Sequence, residues 1–77
     1  MARERPEADR ARALLAALEA AGGAWCSRND LAAATGKNRL SPNDIHHLEE
    51  LSRAGWLESE KRANRFHGEW FYRFISE

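Results

Sequence analysis

The residues able to do chemistry lie in two short stretches without acids. Residues 37–43 hold Lys37, Arg39, Ser41 and Asn43, and residues 61–67 hold Lys61, Arg62, Arg65 and His67. Between them runs a segment bearing His46 and His47. Cations of this kind attract a polyanion such as a nucleic acid, and carboxamide and imidazole groups can bond to base edges. Other chemistry is poorly supplied. Ser41 and His46 could be written as a dyad, but Ser41 stands where a helix N-cap belongs. With no glycine-rich phosphate loop and no paired carboxylates in a credible pocket, an enzyme is not expected. His46 and His47 lack a histidine or cysteine partner at helical spacing. A metal site drawing on Cys26 or His67 would need a chance arrangement in space, so no metal or cofactor is expected.

These residues need elements to position them. The chain has 77 residues, 43% of them hydrophobic and 31% charged, which suits one soluble domain with one modest core. A first helix is expected over about residues 7–21, where Ala11, Leu14, Leu15, Leu18 and Ala21 recur at helical spacing. Pro6 suits its first turn, and Gly22 and Gly23 stop it. Ala24 to Cys26 can pair as a short strand. Ser27 and Asp30 then form a capping arrangement for a second helix over about residues 28–35, ended by Gly36. Ser41 and Pro42 open a third over about residues 42–54, with Ile45, Leu48 and Leu51 as its buried stripe and Gly55 as its stop. From Gly55 onward the period turns to that of strands. A hairpin is expected over about residues 56–75 with a polar tip at about 62–68; Trp70, Tyr72 and Phe74 would face the helices, and Phe71 and Ile75 would face away. Trp25, Trp56 and Phe66 read as core anchors, with base stacking by Phe66 as a lesser reading, and Cys26 reads as a small buried hydrophobe.

At this point the residues resemble a family. The runs Leu31-Ala32-Ala33-Ala34-Thr35-Gly36, Leu40 to Leu51 and Ala54-Gly55-Trp56-Leu57 resemble winged helix-turn-helix transcription regulators of the MarR, ArsR and PadR sort. In those families a serine-proline or serine-serine pair opens the recognition helix and a pattern like Leu48, Leu51, Ala54, Gly55 closes it. Gly55 to Glu58 and Tyr72 to Phe74 are similar to their wing strands. Lys37-Asn38-Arg39 departs from the pattern, looking like an insertion in the turn. The resemblance implies an α+β fold: a small three-helix winged helix-turn-helix domain, single over residues 1–77, with a C-terminal β-hairpin wing.

The resemblance also implies a function, sequence-specific binding of double-stranded DNA by a transcription regulator. The N-terminal end of the third helix would enter the major groove and the wing would lie over neighbouring backbone. On that geometry Asn43, His46 and His47 would read base edges. Lys37, Arg39, Ser41, Lys61, Arg62 and Arg65 would hold phosphates. Net charge is zero, with 12 Lys and Arg against 12 Asp and Glu, so any positive edge comes from placement. A homodimer is the expected assembly, with Phe71, Ile75 and exposed parts of the first helix as candidate surface. A winged-helix module for protein contact, and an accessory subunit of a nucleic-acid machine, stand as alternatives. No apolar run approaches the roughly 20 residues of a membrane span. The charged N-terminus and single cysteine make the cytoplasm the expected location.

Overall fold

The apolar stripe of the first segment forms α1 (Asp9–Ala20), burying Ala11, Leu14, Leu15 and Leu18. A computed structural model, describing residues 4–63 and 68–75, continues from it with β1 (Cys26–Ser27), α2 (Arg28–Ala34), α3 (Pro42–Arg53), β2 (Leu57–Ala63) and β3 (Gly68–Phe74). The fold is α+β, three helices against one three-stranded antiparallel sheet of order β1-β3-β2. Among the described residues no helix is long and apolar enough to cross a membrane.

Local chemistry sets the helix ends. α1 starts at Asp9, later than the charged run suggests, because Ala8 offers no side-chain cap and Pro6 stays ahead of the helix, its carbonyl accepting from Arg12 Nε at 2.7 Å. α2 and α3 each begin with a capping box. The Ser27 hydroxyl accepts from the Asp30 N–H at 3.1 Å, and the Asp30 carboxylate accepts from the Ser27 N–H at 3.0 Å. Ser41 and Asp44 repeat this at 3.2 and 3.1 Å, with Pro42 at a first-turn position that needs no N–H donor. Both helices end in the same glycine motif. At α3, Gly55 takes φ 86°, its N–H bonds to Ser52 O and the Trp56 N–H returns to Leu51 O at 2.9 Å. At α2, Gly36 takes φ 77° and the Lys37 N–H returns to Ala32 O at 2.8 Å. These closures satisfy the last carbonyls and aim the chain sharply off each axis. One delivers Trp56 to the core, and the other delivers Lys37 towards α3.

The hairpin is longer than its sequence suggests. Its ladder runs from Leu57↔Phe74 to Ala63↔Gly68 and takes Lys61↔Trp70 and Arg62↔Glu69 as paired positions. Arg62 is therefore a strand residue, like Lys61, and not a tip residue. Polar strand ends lack an apolar alternation, and only the cross-strand partners show that pairing continues. The link itself, residues 64–67, lies outside the described residues. Side chains alternate across the strands. Trp70, Tyr72 and Phe74 share the helix side with Leu57, while Phe71 and Arg73 share the outer side with Glu58, Glu60 and Arg62. Tyr72 is buried, and Trp70 and Phe74 pack half-buried on the core cluster. Trp25 is not a core residue as expected: it is half-buried and lies apart from that cluster, under the guanidinium of Arg73 at 4.7 Å.

The core joins Leu14, Leu15 and Leu18 of α1 with Leu31, Ala32, Leu40, Leu48, Leu51, Trp56, Leu57 and Tyr72. The buried Trp56 indole donates to the Glu4 carbonyl at 3.0 Å, and Arg5 stacks 5.3 Å over its ring. In α3, Ile45 is half-buried, and the third buried position beside Leu48 and Leu51 is the carboxylate of Asp44, only 1% exposed. Arg10 of α1 grips it with two bonds, 2.9 and 3.2 Å, and Lys37 adds one at 3.0 Å. Arg10 also donates to the carbonyl and hydroxyl of Thr35 at the end of α2. The Arg10 guanidinium outweighs the opposing effect of burial and, with the Ser41 N–H, Lys37 and the Ser41 hydroxyl, holds the Asp44 carboxyl well below the usual carboxylate range.

Removing a buried, multiply bonded carboxylate leaves Arg10 without its partner. Asp44→Ala is expected to cost about 3 kcal/mol in urea unfolding at pH 7. Lys37→Ala, at the half-exposed side of the same cluster, should cost less than about 1 kcal/mol. The folded-state pKa of Asp44 is depressed, so its ionic stabilisation is present above the unfolded value near 4 and is lost as pH falls towards the folded value. The stability gap between the native chain and Asp44→Asn should therefore narrow below about pH 4.

Candidate nucleic-acid interface

α3 carries the densest set of candidate contacts, and its burial pattern decides which of them face out. Asp44, Leu48 and Leu51 point inward, and Pro42, Asn43, His46, Glu49, Glu50 and Arg53 are exposed. Asn43 and His46 thus share one solvent face. His46 Nε2 lies 2.9 Å from Glu50 Oε1, one turn along. His47 does not join them. It is half-buried on the flank towards α1, in a cleft of about 380 Å³ lined also by Pro6, Ala11, Leu51 and Trp56. The rotation of about 100° per residue separates two neighbouring histidines onto different sides.

The expected backbone contacts divide in the same way. Lys37 is committed to Asp44, so it serves the α2–α3 connection as a structural cation. Arg39 is exposed and borders a shallow groove of about 450 Å³ at the start of α3, with Leu40, Ser41, Pro42 and Ile45. Ser41 is committed to Asp44: its oxygen accepts from the Asp44 N–H, and its hydroxyl also lowers the Asp44 pKa. Lys61 lies on the helix side of the hairpin, across from Trp70. Arg62 lies on the opposite side, 4.5 Å over Phe71 and 5.2 Å over Trp25, bonded to Glu60 at 3.0 Å. Arg65, His67 and Phe66 lie outside the described residues.

Two residues that shape this region, one at its surface and one buried beneath it, were not singled out by the sequence. Arg28, the first residue of α2, donates to the Tyr72 hydroxyl at 3.0 Å and stacks 5.7 Å over Trp70. A small cleft of about 70 Å³ brings it beside Glu49 of α3 and Ser59 of β2. Its partners lie 44 residues away in the chain, so no local spacing could reveal it. Asp44 did carry a local signal, standing three residues after Ser41 as Asp30 stands after Ser27. Among the described residues, Arg12, Arg28, Arg39, Arg53 and Lys61 have no carboxylate at ion-pair distance, whereas Arg5, Arg10, Lys37, Arg62 and Arg73 do.

Charge at the start of α3 follows from these pairings. Arg10, Lys37 and Asp44 together sum to +1 (two cations less one carboxylate), and Arg39 adds another. The helix dipole adds a positive end there. Ser41 and His46 each have a different partner, Asp44 and Glu50. Among the described residues no three His, Cys, Asp or Glu side chains come together to hold a metal ion. Burial, and then the nearby Asp30 charge, push the Cys26 thiol up, which keeps it protonated and a poor nucleophile.

Compared with known proteins, the chain matches no family model, no curated protein and no solved structure.

Ser41 fixes the start of the candidate recognition helix. Ser41→Ala should lower stability by about 1 kcal/mol in urea unfolding through loss of the cap, while Ser41→Asp, which restores an acceptor, should lose less.

Proposed function

We propose that this chain is a winged helix-turn-helix domain that binds duplex DNA in a sequence-specific manner, as a transcription regulator does. The observation that carries the reading is the exposed face of α3. Asn43 and His46 share it, and cations without carboxylate partners flank it, Arg39 at its start and Arg28 on the hairpin side, with Lys61 on the helix side of the hairpin. The order helix, short strand, helix, helix, hairpin supports the winged-helix assignment, as does the sequence pattern through Gly55 and Trp56.

In this reading the start of α3 enters the major groove, where Asn43 pairs with adenine and His46 donates to guanine. The His46–Glu50 contact holds the ring in position and places an acceptor nearby for a cytosine amino group. Arg39 and the positive end of α3 take one phosphate strand. Arg28 and Lys61, on the helix side of the wing, take the other. Glu49 lies between α3 and the hairpin and opposes phosphate there, which disfavours binding without sequence preference.

Fluorescence anisotropy with a labelled mixed-sequence duplex tests this. Three phosphate contacts, from Arg28, Arg39 and Lys61, give a loss of about 40-fold in affinity between 50 and 200 mM salt. Arg39→Ala with Lys61→Ala, two exposed positions, should flatten the salt slope by about 1.8. Glu49→Gln should tighten nonspecific binding. Flat anisotropy at low salt and high protein concentration would overturn the proposal.

A further inference from the structure

The outer face of the sheet carries a second constellation, on the side of the sheet opposite the helices. At its centre are two half-buried aromatic rings outside the core, Trp25 and Phe71. Arg62 lies over both, at 5.2 and 4.5 Å, and Arg73 lies 4.7 Å over Trp25. Arg62 is anchored to Glu60 at 3.0 Å and Arg73 to Glu58 at 2.7 Å. We propose that this face is the contact surface for a second copy of the chain, related by a two-fold axis that crosses the strands at Phe71. The inference does not rest on the DNA reading.

The register carries the argument. Along β3 the outward residues run Glu69, Phe71, Arg73; their partners along β2 run Arg62, Glu60, Glu58. The charge therefore changes sign from one end of the row to the other, in opposite senses on the two strands. A two-fold axis parallel to the sheet, passing above the outer side chains across Phe71 and Glu60, lays the Glu69 end of one copy on the Arg73 end of the other. It also lays Arg62 on Glu58. The four swaps away from the axis bring opposite charges together, while Phe71, under Arg62, and Glu60, bonded to Arg62, each meet their own copy at the centre, where Arg62 offsets the Glu60 charge. An isologous interface requires this self-complementarity. Glu69 has no ion-pair partner among the described residues, so it meets the opposing Arg73 without breaking a bond of its own. Zero net charge on the chain removes long-range repulsion between copies.

The residue types also suit a contact surface. Trp and Arg are the side chains on which interface energy concentrates, and stacked guanidinium planes present a flat, weakly hydrated surface. A single-stranded nucleic acid would also stack on Trp25 and Phe71, but Glu58, Glu60 and Glu69 surround them and repel phosphate.

Sedimentation velocity across a concentration series tests the proposal, using the full chain and two charge reversals. The native chain should pass from monomer to dimer as concentration rises. Arg73→Glu and Glu69→Arg should each weaken self-association at least about tenfold, because each sets two like-charge contacts across the axis. An equimolar mixture of the two variants should dimerise again, since both contacts between positions 69 and 73 are then of opposite sign. Both variants should keep the native circular dichroism spectrum, as the side chains changed lie outside the core. A native chain that remains monomeric at the highest concentration would overturn the proposal. So would variants that dimerise as the native chain does, or a mixture that stays monomeric. Binding of a labelled oligothymidine that is lost in Trp25→Ala, by a chain that does not self-associate, would overturn it in favour of a nucleic-acid face.

Discussion

The buried carboxylate of Asp44 is the constraint on which the arrangement of the helices depends. An ionised group almost withdrawn from water is costly unless its lone pairs are filled. Here they are filled from three directions: by Arg10 of α1, by Lys37 from the α2–α3 connection and by the Ser41 N–H at the start of α3. Arg10 reaches on to Thr35, so the end of α2 is held by the same guanidinium. One side chain thus fixes where α3 begins, how the connection before it runs and how both sit against α1. Apolar contacts between Leu14, Leu48 and Leu51 supply area but little direction. The ionic cluster supplies the register.

That cluster reshapes the electrostatics of a chain with no net charge. Lys37 and Arg10 are consumed by structure, and Arg62 and Arg73 are consumed on the outer sheet by Glu60 and Glu58. The cations left without carboxylates are few, and their placement matters more than their number. Arg39 borders the start of α3, Arg28 lies beside Glu49 of α3, and Lys61 lies on the helix side of the hairpin. The paired arginines lie on the other side of the sheet, where their planes cover aromatic rings. The hairpin therefore has two chemically different sides. One packs Leu57, Tyr72, Trp70 and Phe74 on the core and carries Lys61 near its end; the other bears Glu58, Glu60 and Glu69 with Arg62, Arg73 and Phe71 and is turned away from the helices.

Adjacent residues part company for simple geometric reasons. Lys61 and Arg62 stand next to each other, yet strand alternation sends them to opposite faces. His46 and His47 are neighbours on α3, yet the helical rotation leaves one in solvent and turns the other into the cleft beside α1. A cluster of like residues in the sequence is thus no guide to a cluster in space once the element type is known. The element type itself gives the sorting rule.

Helix and strand identities were legible in the sequence because their causes are local. Apolar spacing marked α1. The serine caps with their acids three residues on, and the glycines at positive φ, marked both ends of α2 and α3 to within a residue or two. The exposure of Asn43 and His46 also follows from the helical period around Leu48 and Leu51. What the sequence left open is every relation set by distant residues: Arg10 with Asp44, 34 positions apart, Arg28 with Tyr72, 44 apart, and the extension of the hairpin ladder to Ala63 and Gly68. Polar side chains can pair with any opposite charge that comes within reach, and only the packing of the helices on the sheet decides which ones do. Hence the sequence determined the elements and their outward faces, while the tertiary structure decided which cations are spent on internal carboxylates and which remain for a partner.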